Sequence, residues 1–402
     1  MLSTALPPLV IKNKTLLPIV QGGMGVGVSA HRLAGTVAAL GAMGTISSVD
    51  LRRHHPDLMA QTCRAGDKTS NKAAINAANL VALDREIRAA LALAGGRGMV
   101  AVNVMRAVAD YAAYVRQACK SGAEAIVVGA GLPLDLPELT ADFPAIALIP
   151  ILSDARGIAL LLKKWMRRKR LPDAIIIENP HFAAGHLGAP RLDEVMAPQY
   201  AYDAVLEGTQ ALLDELGIAR ETIPLIVAGG VHNHEQVQRL FAMGASAVQL
   251  GTPFAVTEEG DAHPDFKRVL ANARPEDIVT FMSAAGLPAR AVRTPWLDGY
   301  LMKEEKLQHK AHARACTAGF DCLHHCGLRD GNPKAGQFCI DTRLAYALKG
   351  DVQRGLFFRG SESLPFGTEI RPASDLIRYL LTGDREEAAH LTARDERPAA
   401  VN

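Results

Sequence analysis

The sequence predicts an α/β protein built as a closed (β/α)8 barrel, followed by a cysteine-containing extension. Three observations support this prediction. Short apolar runs recur along the first part of the chain, segments with helical spacing separate most of them, and glycine-bearing turns follow the last two runs. The chain has 402 residues, of which 49% are hydrophobic and 21% charged. It is therefore long enough for one domain of ~250 residues and an accessory segment.

The apolar runs are the predicted strands. Near-continuous apolar strands that alternate with helices are typical of a parallel sheet covered by helices on both faces. An open doubly wound sheet is the alternative, but eight strands between residues 17 and 251 fit a closed TIM barrel better. The predicted strands are residues 17–22, 42–47, 98–104, 124–130, 145–152, 173–178, 223–229 and 246–251.

Composition and charge exclude several classes of protein. The chain carries 44 Lys and Arg residues against 42 Asp and Glu residues, a net charge of +2. A nucleic-acid-binding protein would need a dominant basic surface, so we expect no nucleic-acid partner. The sequence has no run of ~18 uncharged apolar residues that could cross a membrane, and its first residues lack the order of a secretory signal. We therefore expect a cytoplasmic protein with no membrane partner.

A histidine stands in a glycine-bearing turn soon after the sixth predicted strand. The run DAIIIE leads into the loop 179–200, which contains AAGHLG, with His186 between Gly185 and Gly188. In a barrel, the loops that follow the strands carry the active site, and an imidazole is the usual proton donor or acceptor near neutral pH. His186 is therefore the candidate catalytic residue. A loop histidine that makes only a structural bond is the alternative.

Glycine-bearing turns after the seventh and eighth strands predict a phosphate site. Gly229 and Gly230 end the seventh strand, and Gly251 and Thr252 follow the eighth. Backbone N–H groups and helix N-termini at these two turns bind phosphate in many barrels. A third glycine-rich turn, QGGMGVG at residues 21–27, would let a flat ring lie across the barrel mouth. Together, the three turns favour FMN as the cofactor.

Beyond residue 275 the barrel pattern stops, and four cysteines cluster in the remaining segment. Four thiolates in one loop-rich stretch can hold an iron–sulfur cluster, whereas zinc with a neighbouring histidine, or unliganded thiols, are the alternatives. We divide the chain into an FMN-binding barrel, residues 1–275, and an extension, residues 276–402, whose charged tail we expect to be mobile. The four candidate metal ligands are Cys316, Cys322, Cys326 and Cys339.

Several short motifs occur in order between about residues 17 and 295. They are PIVQGGMG, VNV, AAGHLG, IPLIVAGGV, GASAVQLGTPF and GLPARAV. In this order the chain resembles the nitronate monooxygenase (2-nitropropane dioxygenase) family and its relatives, the NAD(P)H:quinone reductases and the flavin-dependent enoyl-ACP reductases. The resemblance implies a barrel that binds FMN without a covalent link.

The resemblance also implies roles for individual residues, with His186 facing the reactive side of the flavin. The family usually has an acidic residue and two glycines before this histidine, whereas Phe182, two alanines and Gly185 precede it here. Because of this departure, His181 is a second candidate for an acid–base role. The implied cofactor-binding residues are Gln21, Gly22, Gly23, Met24, Asn103, Gly229, Gly230, Gly251 and Thr252.

The resemblance implies an FMN-dependent oxidoreductase that oxidises alkyl nitronates with O2. His186 would hydrogen-bond the nitro oxygens or take the α-proton of a neutral nitroalkane. The alternative is a flavin reductase of a quinone or a conjugated enoyl double bond. Its electrons would come from NAD(P)H, or from an electron-transfer partner through an iron–sulfur cluster. A flavin- or phosphate-binding module without catalytic activity is the third hypothesis. The expected substrate partner is a small molecule.

Overall fold

The structure is a computed structural model that describes residues 4–62 and 68–385. Most of the tail predicted to be mobile, residues 386–402, lies outside the described residues. A short antiparallel hairpin, β1 (Leu9–Ile11) and β2 (Lys14–Leu16), comes before the first barrel strand. This hairpin is not among the strands predicted from the sequence.

The predicted eight-stranded parallel barrel is confirmed. Its strands pair in a closed ring, in which the first strand contacts both the second and the last. All eight lie inside the predicted runs and are shorter than them. They are β3 (Ile19–Gln21), β4 (Met43–Ser47), β5 (Met99–Asn103), β6 (Ala125–Val128), β7 (Ala147–Leu152), β8 (Ile175–Glu178), β10 (Leu225–Ala228) and β11 (Ala247–Leu250).

Two apolar layers explain why these strands are apolar on both faces. One set of side chains fills the barrel interior, and Leu9, Ile11 and Leu16 of the β1–β2 hairpin pack into the same cluster. The other set packs against the surrounding helices. The hairpin therefore contributes to the interior packing of the barrel. The loops that follow the strands lie at the end of the barrel where the active site is expected.

The helices cover the barrel and form much of the extension. The α-helices are α1 (His31–Ala39), α2 (Pro56–Thr62), α3 (Lys68–Ala94), α4 (Tyr111–Lys120), α5 (Leu136–Leu139), α6 (Ala155–Met166), α7 (Tyr202–Glu215), α8 (His234–Ala242), α9 (Thr252–Ala255), α10 (Pro264–Asn272), α11 (Pro295–Leu301), α12 (Glu304–His309), α13 (Gly327–Asp330), α14 (Ile340–Leu348) and α15 (Ala373–Thr382). Short 3-10 turns span Leu51–His54, Leu192–Glu194, Pro198–Tyr200, Arg220–Thr222 and Pro275–Asp277. No helix in residues 4–62 and 68–385 is long and apolar enough to span a membrane.

The extension contributes a small antiparallel sheet that reaches back to the barrel loops. Its central strand is β13 (Pro288–Val292), which pairs with β12 (Ile278–Met282), β14 (Phe357–Phe358) and β9 (Gly185–His186). Because β9 belongs to the loop after β8, the sheet joins the extension to the segment that carries His186. The boundary expected at residue 275 falls in the turn Pro275–Asp277, between α10 and β12.

Candidate active site

A cavity of about 660 Å³ lies where the strand-end loops meet the extension. Cofactor and substrate pockets in proteins are typically about 300–1,000 Å³, so this one could hold both a cofactor and a small substrate. Nine of the eleven residues predicted for the cofactor site or for catalysis line it, and Gln21 and His181 do not. The nine are Gly22, Gly23, Met24, Asn103, His186, Gly229, Gly230, Gly251 and Thr252.

Gln21, predicted for the cofactor site, does not line the cavity, and its side chain bonds a neighbouring strand. Its Oε1 accepts from the Thr45 backbone N–H at 2.8 Å, and its Nε2 donates to the Thr45 carbonyl at 3.1 Å. The two strands share a single register pair, Val20 with Met43. The buried Gln21 amide therefore supplies hydrogen bonds that hold β3 against β4.

The first glycine-rich turn brings bare backbone against the cavity. A Cβ atom built on Gly23 would lie 2.4 Å from the Cβ of Asn103, and one on Gly22 would lie 3.1 Å from Gln249 Cδ. Real Cβ atoms do not approach as closely as 2.4 Å, so Gly23 allows the turn to pack against the end of β5. The turn and Asn103 together form a lean surface of the kind that a flat ring requires.

The two predicted phosphate turns meet at the same cavity. Gly229 and Gly230 adopt positive φ values of 102° and 71°, which favour glycine. A Cβ on Gly230 would lie 2.7 Å from the ring of Phe182. On the second turn, the Thr252 hydroxyl accepts from the Gly360 N–H at 3.0 Å. The extension thus packs directly on the turn, and its residues after Gly360 add to the cavity wall.

His186 lies at the cavity wall with one ring nitrogen engaged. Its Nε2 is 3.1 Å from the hydroxyl of Ser283, a fully buried residue just after β12. Its ring lies 6.1 Å from that of Phe358 in β14. The ring is half-buried in the cavity wall, and desolvation disfavours the charged imidazolium and lowers the pKa of His186 from 6.5 to about 4. The ring is therefore neutral at neutral pH.

Arg290 fixes the loop before His186. This arginine of β13 is buried, and its guanidinium donates hydrogen bonds to the carbonyls of Ala183 and Pro180. Next to it in the strand, Ala289 pairs with His186 itself. Two contacts from one strand therefore hold the backbone on both sides of Ala184.

His181, the second acid–base candidate, does not line the cavity. Its backbone N–H donates to Asn179 Oδ1 at 2.9 Å, and its Nε2 lies 3.2 Å from the Ala197 carbonyl. This arrangement ties the two ends of the long loop together. The geometry supports a structural role for His181.

Glu178 lines the cavity and was not singled out from the sequence. It ends β8 after three buried isoleucines, and burial raises the pKa of its carboxyl group from 4.5 to about 7. A carboxylate that ends an otherwise apolar strand, at the end where barrels carry chemistry, is the signal that would have found it. Asp341 of α14 also lines the cavity, and its Oδ2 accepts from Arg53 at 2.6 Å.

The four clustered cysteines lie near one another in the extension, and Cys322 lines the cavity. Burial raises the pKa of the Cys322 thiol, and the Asp341 carboxylate and the three other cysteines raise it further by electrostatic repulsion. Cys316 Sγ donates to the Phe320 carbonyl at 2.9 Å, and the Thr342 hydroxyl donates to Cys339 Sγ at 3.2 Å. Within the described residues, no group of three or more His, Cys, Asp or Glu side chains is placed to hold a metal ion.

Comparisons with known proteins agree with this architecture. A family model described as nitronate monooxygenase matches residues 7–383. A nitronate monooxygenase of Pseudomonas aeruginosa is 30% identical over 120 residues, which cover 30% of this chain and 31% of that protein. A Bacillus subtilis protein named "Probable nitronate monooxygenase" is 29% identical over 133 residues, 33% of this chain and 35% of that one. The alignments thus span about a third of each relative.

Solved structures show the same fold over most of the chain. Nitroalkane oxidase from Streptomyces ansochromogenes superposes with a TM-score of 0.61 and 20% identity, covering 92% of this chain and 96% of that one. FabK from Thermotoga maritima gives a TM-score of 0.58 and 21% identity, covering 90% and 91%. At these identities the likeness establishes the fold, and the site has to be argued from its own residues.

Proposed function

Because the chain belongs to the nitronate monooxygenase family, we propose that it is an FMN-dependent oxidoreductase that oxidises alkyl nitronates with O2. One observation carries the proposal: His186 and both glycine-bearing phosphate turns line a single cavity. The substrate in this proposal is a small organic anion. The predicted cytoplasmic location, with neither nucleic acid nor membrane as a partner, stays a prediction.

The lining residues fit FMN. The Gly22–Gly23 turn and Asn103 offer a lean surface for the ring, and the turns at Gly229–Gly230 and Gly251–Thr252 offer backbone N–H groups for the phosphate. A side chain at Gly23 or Gly230 would overlap Asn103 or Phe182, which supports a need for bare backbone there. FMN bound at these residues would supply the redox chemistry, taking electrons from the substrate and passing them to oxygen.

His186 would bind the nitronate as a neutral hydrogen-bond donor. A nitronate is already an anion, so no base is needed to activate it. Because the pKa of His186 is lowered to about 4, the ring adds no positive charge at neutral pH. Its contribution is a directed hydrogen bond to an oxygen that carries negative charge.

Ser283 would set the tautomer of this histidine. Its Oγ accepts from the Ala285 N–H at 3.2 Å, which leaves the hydroxyl hydrogen available for Nε2 of His186. Under that assignment the ring proton resides on Nδ1, and Nδ1–H is the donor left for a substrate.

The proposal is tested with purified protein, ethyl nitronate and an oxygen electrode, with the flavin followed by absorbance. We expect protein-bound FMN and oxygen uptake that depends on nitronate. Flavin that NAD(P)H reduces rapidly, together with quinone or enoyl reduction and no nitronate-dependent oxygen uptake, would replace the proposal with the reductase alternative. Bound flavin with neither activity would favour the binding module.

As a second part of the proposal, the four cysteines bind an iron–sulfur cluster, with zinc as the alternative. Their support is that Cys316, Cys322, Cys326 and Cys339 fall within one stretch of the extension and that all four are free thiols. Since no metal-binding group is formed in the described residues, the ligands would have to move together on binding. No step of the reaction is assigned to such a group.

The metal proposal is tested by assaying iron, acid-labile sulfide and zinc in protein purified without oxygen. We expect iron and sulfide in the native protein and their loss in Cys339→Ser. Cys119→Ser is the matched control, because Cys119 is a thiol on α4 outside the cluster. Native protein without iron or zinc would reject metal binding.

A further inference from the structure

We infer that Glu178 is a second catalytic residue, the base that takes the α-proton when a neutral nitroalkane enters the cavity. His186 then keeps its role as a hydrogen-bond donor to the nitro group. This inference rests on the proposed function and deepens it, because it separates the residue that deprotonates the substrate from the residue that orients it.

The position of Glu178 places its carboxylate beside the histidine loop. Glu178 ends β8, where its backbone is in register with Ala228, the residue before the phosphate turn at Gly229. A Cβ built on Gly188, two residues after His186, would lie 3.7 Å from Glu178 Oε2. The carboxylate thus lies between the loop that carries His186 and the turn proposed to hold the phosphate, on the wall of the same cavity.

Glu178 is free to act as a base. Among the described residues, no side chain donates a hydrogen bond to its carboxylate, and no Lys, Arg or His forms an ion pair with it. The nearby Tyr202 hydroxyl instead donates to the carbonyls of Gly229 and Ala228. Asp154 also lines the cavity, but its carboxylate has a structural partner: Oδ1 accepts from the Gly157 N–H at 2.7 Å and caps α6. The Glu178 carboxylate has no such partner among the described residues.

The ionisable groups around this part of the cavity favour Glu178 over His186 as the base. They are Glu178, His186, Tyr202, Asp154 and, from the extension, Glu362. A base works best when its pKa is near the working pH. Burial brings the pKa of Glu178 up to about 7, whereas it lowers that of His186 to about 4 and makes the imidazole a weak base.

The step is a proton transfer without oxidation. The bond between the α-carbon and its hydrogen breaks, an O–H bond forms on Glu178, and the electron pair stays on the substrate as the nitronate. The negative charge moves onto the nitro oxygens, where a hydrogen bond from His186 stabilises it. Glu178 returns its proton to water before the next turnover.

The test compares Glu178→Gln with native protein on two substrates, nitroethane and preformed ethyl nitronate. General-base catalysis contributes roughly 10²- to 10⁴-fold, so we expect kcat/KM for nitroethane to fall by at least about 100-fold in the variant. For the nitronate, which needs no base, we expect a change of less than about threefold. Glu178→Asp, which keeps the carboxylate, should recover part of the nitroethane activity.

Two further measurements keep the inference falsifiable if the variants fold poorly. In native protein, kcat/KM for nitroethane should rise with pH through about 7, and the nitronate profile should lack this rise. Exchange of the α-hydrogen of nitroethane in D2O without oxygen, followed by NMR, reports deprotonation alone and should be lost in Glu178→Gln. Glu207→Gln, an exposed glutamate on α7, is the matched control.

The outcomes separate this inference from the proposed function. Equal losses on both substrates, with flavin still bound, would make Glu178 a positioning residue and overturn the inference. Unchanged nitroethane activity in Glu178→Gln would overturn it as well. Native protein that oxidises the nitronate but never exchanges the nitroalkane hydrogen would overturn it while leaving the proposed function intact. Native protein that does not oxidise the nitronate would reject the proposed function itself.

Discussion

The guanidinium of Arg290 donates a hydrogen bond to the backbone carbonyl of Ala183, and this contact joins the extension to the loop that carries His186. The second hydrogen bond of the same group, to the Pro180 carbonyl, spans 3.2 Å. Burial lowers the pKa of Arg290 to about 10, which still leaves the side chain charged at neutral pH. The extension therefore determines where the candidate catalytic residue lies.

Replacing this arginine should loosen the loop. In Arg290→Met, two buried carbonyls lose their donors, so we expect the free energy of unfolding to fall by about 1–3 kcal/mol. The kcat should fall as well while FMN stays bound. Thermal unfolding, flavin absorbance and steady-state kinetics measure these effects. Arg293→Met is the control, because Arg293 is exposed and pairs with Asp298 at the surface. Equal effects of the two substitutions would contradict the anchoring role.

Removing the imidazole should impair turnover without releasing the flavin. In His186→Ala, the loss of a donor aimed at a charged oxygen should lower kcat by roughly 10²- to 10³-fold. The flavin spectrum should be unchanged, since the glycine turns that would hold FMN are intact. His309→Ala is the control, because His309 is an exposed histidine on α12 that does not line the cavity. Native turnover in His186→Ala would show that this histidine is structural.

A methyl group on the first phosphate turn should weaken cofactor binding. Gly230→Ala forces an alanine into φ 71° and places its Cβ against Phe182. Strain of about 1–3 kcal/mol at such a position should raise the Kd for FMN roughly tenfold or more. Titration of apoprotein with FMN, followed by flavin fluorescence, measures it. Gly299→Ala in α11 meets no atom within 4 Å and should leave the Kd unchanged.

The stability of the apoprotein should respond to pH through two opposing groups. Between pH 4 and 6.5, unfolded His186 binds a proton that the folded protein excludes, so this group destabilises the fold as pH falls. Between pH 4.5 and 7, folded Glu178 keeps a proton that the unfolded chain loses, so this group destabilises the fold as pH rises. In the shared window the two effects oppose each other.

Glu178→Gln should therefore change the pH profile of stability. Without the carboxyl group, the free energy of unfolding should rise more steeply between pH 4.5 and 6.5, and the variant should gain most relative to native protein above pH 7. Denaturant unfolding at several pH values measures this. Parallel profiles for native and variant protein would show that burial does not shift the pKa of Glu178.

The barrel was predictable because its strands carry a strong local signal. Runs such as DAIIIE are apolar throughout, since both faces of a barrel strand are buried. The β1–β2 hairpin escaped prediction because each strand has three residues, too few to show a period. Strand β13 was not predicted because Pro288 and Arg290 interrupt its apolar pattern. The role of Arg290 depends on the loop carbonyls that it contacts, and the sequence alone does not locate them.

The site was predictable where glycine or histidine marks a turn, and less so elsewhere. The turns at Gly229 and Gly251 could be located because strand ends in a barrel converge on one side. Gln21 stands next to the first glycine-rich turn in the sequence, yet strand alternation turns its side chain toward the Thr45 backbone. Glu178 was not predicted as a site residue because the sequence shows it only as the last residue of a strand. The burial that raises its pKa depends on the loop and the extension that cover it.

The cavity draws its lining from two parts of the chain that are far apart in sequence. The turns suited to the cofactor come from the barrel, whereas residues such as Leu356, Phe358 and Leu364 come from the extension. Substitutions at these three extension residues can therefore alter which molecules the cavity accepts, whereas the glycine turns of the barrel keep their own sequence. The shape of the substrate space therefore depends on the segment after residue 275, and the surface suited to a cofactor depends on the barrel.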